Sequence, residues 1–171
     1  KELGSASLGP VNQALIKSCS ERAGVPFGDV RRLSFDGVVN LASGSVDAVF
    51  GMCYNIEPEQ LRALGIEPGH LLIPTDIVPD FSELVFITNA AILEDCPGFA
   101  DNFRAAVQES LDFARAHPDE AFALYLKAHP HKTEETAAWE ARSWAATLPV
   151  LARSQLIDLA QWASFYRWME E

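Results

Sequence analysis

Up to residue 74 the chain alternates short apolar runs with amphipathic stretches, and after Asn89 the apolar runs stop. That order constrains the fold more than any bulk property. Glu2 to Ala6 opens as a strand. Ser7-Leu8-Gly9-Pro10 turns, and Pro10 suits the first turn of a helix. From Val11 to Ala23 the apolar residues recur in three- and four-residue steps, which predicts a helix, and Gly24 ends it as a C-terminal cap. Val30 to Phe35 reads as a strand. Asp36 caps a short helix through Leu41, closed by Gly44. Val46 to Phe50 is the next strand, Pro58 to Leu64 a helix with Gly65 behind it, and Leu71 to Pro74 a further strand. This β-α-β-α-β-α-β order implies an α/β fold: a mainly parallel sheet with helices on its faces.

The character then changes. Asp76 to Glu83 is an irregular loop carrying Pro79, and Leu84 to Thr88, apolar nearly throughout, is the last strand expected. Ala90 to Glu94 is a short helix broken by Pro97-Gly98. Phe99 to Ala116 is a long one with Phe103, Val107, Leu111 and Ala114 on one face. Pro118 opens a helix to Ala128. Thr133 caps another to Thr147, with Glu134 and Glu135 in its first turn. Pro149 interrupts, and Ser154 starts a last helix running to the end. Two parts are expected: an α/β part over 1–89 with a four- or five-strand sheet, and a helical part over 90–171. The helical part carries Trp139, Trp144, Trp162 and Trp168 but no sheet to cover, so it packs on the first part or on polypeptide outside this chain. The ending Tyr166-Arg167-Trp168-Met169 lies in mid-helix, which favours truncation.

The stretch Val46 to Glu57 carries most of the functional information. A short buried strand with one acid, Asp47, runs into Gly51 and a polar, aromatic loop ending in a carboxylate. In open α/β sheets ligands sit beyond the carboxyl ends of the strands. Tyr54, Asn55 and Glu57 there offer a ring, an amide and an acid, which suit a flat, polar, nitrogen-bearing ligand.

Composition excludes more than it assigns. The net charge of −11 argues against nucleic acid and anionic membrane surfaces, both of which want a basic patch. No apolar run approaches the roughly 18 residues of a membrane span. Lys1-Glu2-Leu3-Gly4 reads as a strand opening and not as a signal peptide; residue 1 is not Met, as in a mature form or a piece of something longer. The three cysteines, Cys19, Cys53 and Cys96, are too few and too irregularly spaced for a disulfide framework or a zinc pattern; they are expected to be buried or partly buried free thiols. The four histidines read as surface residues, and His129 and His131 without nearby acids or thiols make a poor metal site. No cofactor is called for.

Three blocks resemble the substrate-binding proteins of ABC transporters that take thiamine pyrimidine precursors, the thiamine-biosynthesis-like family. Ser7-Leu8-Gly9-Pro10-Val11-Asn12-Gln13-Ala14-Leu15-Ile16-Lys17, followed by Glu21-Arg22-Ala23-Gly24, is similar to that family's turn-helix segment. Gly44-Ser45-Val46-Asp47-Ala48-Val49-Phe50-Gly51, then Tyr54-Asn55-Ile56-Glu57, is similar to its G-x-V-D-A-V-x-G with an N-x-E a few residues on. Val78-Pro79-Asp80-Phe81-Ser82-Glu83-Leu84-Val85-Phe86 is similar to its V-P-D-Y-x-E-L-V run, and His117-Pro118-Asp119-Glu120-Ala121 resembles its N-P-E-E-A junction. The resemblance implies the second lobe of a type II periplasmic-binding-protein-like fold, followed by helices that pack on an N-terminal lobe missing from this chain. It also implies a non-enzymatic, periplasmic or extracytoplasmic solute-binding component, with a lipoprotein anchor allowed, that hands a pyrimidine-like ligand to an ABC permease in the membrane. A lobe without its partner exposes apolar surface, so a homo-oligomer is expected.

Under the resemblance Glu57 is the ligand-facing acid. A carboxylate can accept two hydrogen bonds from an amino-pyrimidine edge. The other reading leaves it decorating a helix start before Pro58. Asn55 either orients the ligand or shapes the turn. Tyr54 either stacks on a ring or packs in the core. Ser7, Gly9 and Asn12 lead into a helix N-terminus, which suits an anion or is a plain strand-helix connection; the family tends to have glycine where this chain has Asn12, which leaves less room for a phosphate. Cys53 has no nearby histidine to activate it. Asp36 is expected to cap, and Asp47 to be structural. Rival readings are a pyrimidine-precursor synthase of the same fold, which would want more cysteines, and a receptor for riboflavin or a sulfonate. The latter would want a basic residue where none occurs between Arg32 and Arg62.

Overall fold

The architecture is that of a computed structural model, which describes residues 2–25, 29–33, 36–73, 76–82 and 84–170. Three parallel strands make its sheet: β1 (Leu3–Ser5), β2 (Val30–Arg32) and β3 (Ala48–Phe50), in the order β2-β1-β3. Ser5 is level with Arg32 on one side and with Phe50 on the other. The three carboxyl ends are therefore flush. The ladder runs one step further, where the Leu33 N–H donates to the Ser5 carbonyl at 2.9 Å.

The helices between the strands start and stop where local chemistry dictates. Helix α1 (Pro10–Arg22) begins at Pro10 behind an extended Gly9. It ends in a paired closure: Gly24, at φ +64°, donates to the Glu21 carbonyl, and Val25 donates to Ser20. Helix α2 (Gly37–Ala42) is capped by Asp36, whose Oδ1 accepts the Val39 N–H at 3.0 Å. Helix α3 (Glu57–Ala63) follows the loop after β3. Val49 and Phe50 point to opposite faces of the sheet, as successive strand residues must. Phe50 packs into the cluster built on Leu15 of α1, while Val49 lies 3.3 Å from where a Cβ on Gly37 of α2 would be. The two helices thus cover opposite faces.

The described residues divide into two units, Lys1–Phe81 with Leu159–Glu171, and Ser82–Asp158. In the first, helix α8 (Leu159–Glu170) closes the core: buried Leu15, Val78 and Phe165 gather Val11, Phe50, Ile77, Phe81, Trp168 and Met169 around them. In the second, α4 (Ala90–Asp95), α5 (Phe99–Ala116), α6 (Pro118–Ala128) and α7 (Glu134–Thr147) follow in turn. Trp144 Nε1 donates to the Pro118 carbonyl at 3.0 Å, tying α7 to the start of α6. Thr133 caps α7 in a reciprocal box with Thr136.

Two expected strands are absent among the described residues. Residues 71–73 and 84–88 are in no strand, so among the described residues the sheet has three strands and not four or five. An apolar run becomes a strand only when a neighbour takes its backbone hydrogen bonds. None of the described strands does so here, and Leu71, Leu84 and Ile87 stand 99%, 91% and 91% exposed. The last helix starts at Leu159, five residues later than Ser154. The cysteines form no disulfide, as expected, but Cys53 and Cys96 are exposed and only Cys19 is half-buried; that burial raises the Cys19 thiol above its ordinary pKa. His129 is half-buried, its Nδ1 2.8 Å from the Tyr125 carbonyl; the other three histidines are exposed. All four tryptophans are half-buried. Lys1, Ser34, Phe35, Pro74 and Glu83, which belong to expected strands or to the third block, lie outside the described residues.

Candidate functional site

A β2-β1-β3 order means that the chain leaves β1 to one side and returns to its other side with β3. Such a reversal opens a crevice between the loops that follow β1 and β3, which is where open α/β sheets hold ligands. Those are the loops that carry the expected site residues: Ser7, Gly9 and Asn12 after β1, and Tyr54, Asn55 and Glu57 after β3.

The first loop is knitted by its own polar groups. Ser5 Oγ, fully buried at the end of the central strand, donates to the Ser7 carbonyl at 2.8 Å. Asn12 Nδ2 donates to the same carbonyl at 3.0 Å. Ser7 Oγ accepts the Gly9 N–H at 3.3 Å, and Gln13 Nε2 donates to the Leu8 carbonyl at 2.6 Å. Gly9 has no side chain with which to cap α1. The bonds that Ser7 and the Gly9 N–H make here thus serve the loop itself.

The second loop leaves β3 through Gly51, at φ +85°, a conformation that side chains rarely adopt. Met52 packs beneath it, its Sδ 3.2 Å from where a Cβ on Gly37 would be, so the first turn of α2 supports the loop from below. Glu57 reaches back four residues, and its Oε2 accepts the Cys53 N–H at 2.8 Å. The Ile56 N–H donates to the Cys53 carbonyl at 3.0 Å. The Tyr54 side chain is presented to solvent at 39% exposure, against the core-packing reading. Asn55 and Glu57 are half-buried.

The two loops meet at Asn12 and Gly51. A Cβ on Gly51 would lie 3.6 Å from Asn12 Nδ2 and 4.0 Å from Ser5 Oγ. Both groups of expected residues therefore stand at one end of the sheet, with Asn12 of the first loop beside Gly51 of the second. Ser5, the buried anchor of this junction, was not among the expected residues; a serine closing a short strand gives little sign in sequence of being a buried donor. Asp47 has the structural role expected of it, its Oδ2 accepting the Glu2 N–H at 2.5 Å.

Among the described residues no group of three or more His, Cys, Asp and Glu side chains could hold a metal ion, and no helix is long and apolar enough to cross a membrane. A parallel α/β unit with two polar loops at its switch point, followed by helices, is consistent with the type II periplasmic-binding-like fold. Residues 1–121 match the family described as NMT1/THI5 like, and the chain belongs to that family. It is 29% identical over 134 residues to a Haemophilus influenzae protein named for thiamine biosynthesis, a match covering 77% of this chain and 41% of that protein. It is 31% identical over 120 residues to the formylaminopyrimidine-binding protein of Halalkalibacterium halodurans, covering 68% of this chain and 36% of that one. The matches thus span well under half the length of these relatives. The similarity is to a thiamine-related family.

Proposed function

We propose that this chain supplies one wall of a ligand site in a solute-binding protein of an ABC transporter, and that the ligand is a pyrimidine-like thiamine precursor of the hydroxymethyl or formamido type. The observation that carries the reading is the meeting of the Asn12 and Gly51 loops at the switch point of the sheet. The groups offered there suit an amino-heterocycle. With Nδ2 donated to Ser7, Asn12 has its oxygen left to offer, an acceptor. Glu57 uses one carboxylate oxygen on Cys53 and has a second acceptor to give. The Tyr54 ring is open to stacking. A sulfonate ligand would want a cation, and Arg62 is already held by Glu59 at 2.5 Å and by Glu67 at 3.1 Å.

In this reading the opposite wall comes from an N-terminal lobe outside the chain, the assembly works in the periplasm or another extracytoplasmic space, and a membrane permease receives the ligand. One wall alone binds weakly. Amide chemical-shift mapping of the chain against hydroxymethyl- and formamido-pyrimidines at millimolar concentration tests it. Shifts confined to Asn12, Gly51 and the 53–57 loop are expected. No shift there, or shifts only elsewhere, would overturn the reading.

A further inference from the structure

We propose that Asn12 is a positioning residue that couples the two loops of this site, fixing the turn after β1 and the turn after β3 to one another; the inference rests on the ligand reading above only for what is being positioned. The Ser7 carbonyl is the hub of the arrangement. It accepts from Ser5 Oγ, fully buried at the end of the central strand, and from Asn12 Nδ2 in the first turn of α1. The same Asn12 nitrogen lies beside Gly51, 3.6 Å from the position a Cβ there would take. Gly51, at φ +85°, is where the backbone turns to begin the loop holding Tyr54, Asn55 and Glu57. One amide is thus set between a carbonyl of the first loop and the backbone of the second.

The neighbouring residue supplies an internal comparison. Gln13 also folds back and donates from its side-chain amide, but to Leu8 within the first loop. Both amides steady the first loop; only Asn12 is placed to transmit its position to the second. Removing the Asn12 amide leaves the Ser7 carbonyl held by Ser5 Oγ alone and opens space beside Gly51. An aspartate at the same position keeps the shape, loses the donor and sets a carboxylate against a carbonyl.

Amide hydrogen exchange, read residue by residue on the 171-residue chain, tests the coupling. Asn12→Ala and Asn12→Asp are expected to speed exchange at residues 51–57 by about fivefold or more while β2 and α8 are unchanged, as local opening requires. Gln13→Ala is expected to change residues 7–13 and leave 51–57 as they were. The proposal is overturned if the Asn12 variants affect only the first loop, or if exchange rises equally throughout the chain. Should Asn12→Ala not fold, the near-isosteric Asn12→Asp decides. As a second readout, the affinity for hydroxymethyl-aminopyrimidine should fall in Asn12→Ala, and adding Glu57→Gln should lower it by less than the product of the two single effects. A chain whose 51–57 loop answers to Asn12 but which binds no pyrimidine upholds the coupling and removes the ligand reading.

Discussion

The Glu57 carboxylate holds the backbone N–H of Cys53, four residues earlier, at 2.8 Å. The acid that resemblance assigns to a ligand is therefore also the clamp of its own loop. The two readings of Glu57 posed by sequence are not exclusive, because a carboxylate has two oxygens and this bond uses one.

Replacing Glu57 separates the two roles. Glu57→Ala removes the bond to the Cys53 N–H and should lower stability by about 1.5 kcal/mol, the lower end for a charge-assisted bond because the loop is partly exposed. Glu57→Gln keeps an oxygen for Cys53 and should retain most of that stability. Both should weaken pyrimidine binding about tenfold or more, since the charge is gone in each. Urea unfolding and titration of the same samples check this; a Gln variant that binds as the parent does would remove the charge from the recognition argument.

Gly4 sits in the central strand because Leu33 leaves no room for a side chain. A Cβ at residue 4 would lie 2.5 Å from Leu33 Cδ1 and 2.7 Å from its Cγ. Gly4→Ala should therefore cost about 1–3 kcal/mol, the usual range for overpacking a close-fitting site. Leu33→Ala in the same chain should return part of that loss, although alone it destabilises by removing a buried side chain. A double-mutant cycle by denaturant unfolding gives the coupling, and simple additivity would show that the crowding is relieved elsewhere.

The last helix belongs to the sheet-bearing unit through Phe165, which stacks on Phe81 with ring centroids 4.0 Å apart and meets Trp168 at 5.5 Å. Phe165→Ala should cost about 3–5 kcal/mol, the range for truncating a buried aromatic. A chain ending before Leu159 should lose the fold of the sheet-bearing unit, since Leu15, Val78 and Phe81 would be left open to water. Circular dichroism and near-ultraviolet spectra of the shortened chain test this; retained tertiary signal would mean that the core closes without α8.

How much of this was legible in sequence follows the range of the forces involved. Helix ends are written locally. Pro10, Gly24, Asp36 and Thr133 each act within a few residues, and the structure places each in the role sequence suggested. Strands are not local. Leu71 to Ile73 and Leu84 to Thr88 have the composition of strands, but pairing depends on a neighbour that composition cannot supply. The Glu57 clamp spans only four residues yet was invisible, because it needs the loop already bent through Gly51. The buried state of Glu140 was invisible for the converse reason. A glutamate in the middle of a helix looks solvated until Tyr125 and Lys132 are seen to close over it.

That last group predicts a pH dependence. The Lys132 ammonium donates to Glu140 and lies 5.1 Å from the centre of the Tyr125 ring, with the Lys132 and Glu140 side chains 16% and 10% exposed. The bond to Glu140, then that to Tyr125, holds the lysine above its ordinary pKa, outweighing the opposing effect of burial. A lysine raised in the folded state is protonated there at a pH where the unfolded chain has begun to lose its proton. Its stabilisation is therefore complete below the unfolded value of about 10.4 and disappears as pH rises through the higher folded value. Lys132→Met should lower the urea midpoint at pH 7, because Glu140 then keeps a buried charge without its cation, and should remove this part of the alkaline decline. Glu140 Oε2 has no partner among the described residues, so the pair is not fully satisfied even in the parent. Replacing both, Lys132→Met with Glu140→Leu, should recover much of the loss at pH 7, as apolar substitutes for buried ion pairs often do. Urea midpoints followed from pH 7 to about 11 for the three chains check the sign, and a Lys132→Met chain with an undiminished alkaline slope would show that another group titrates there.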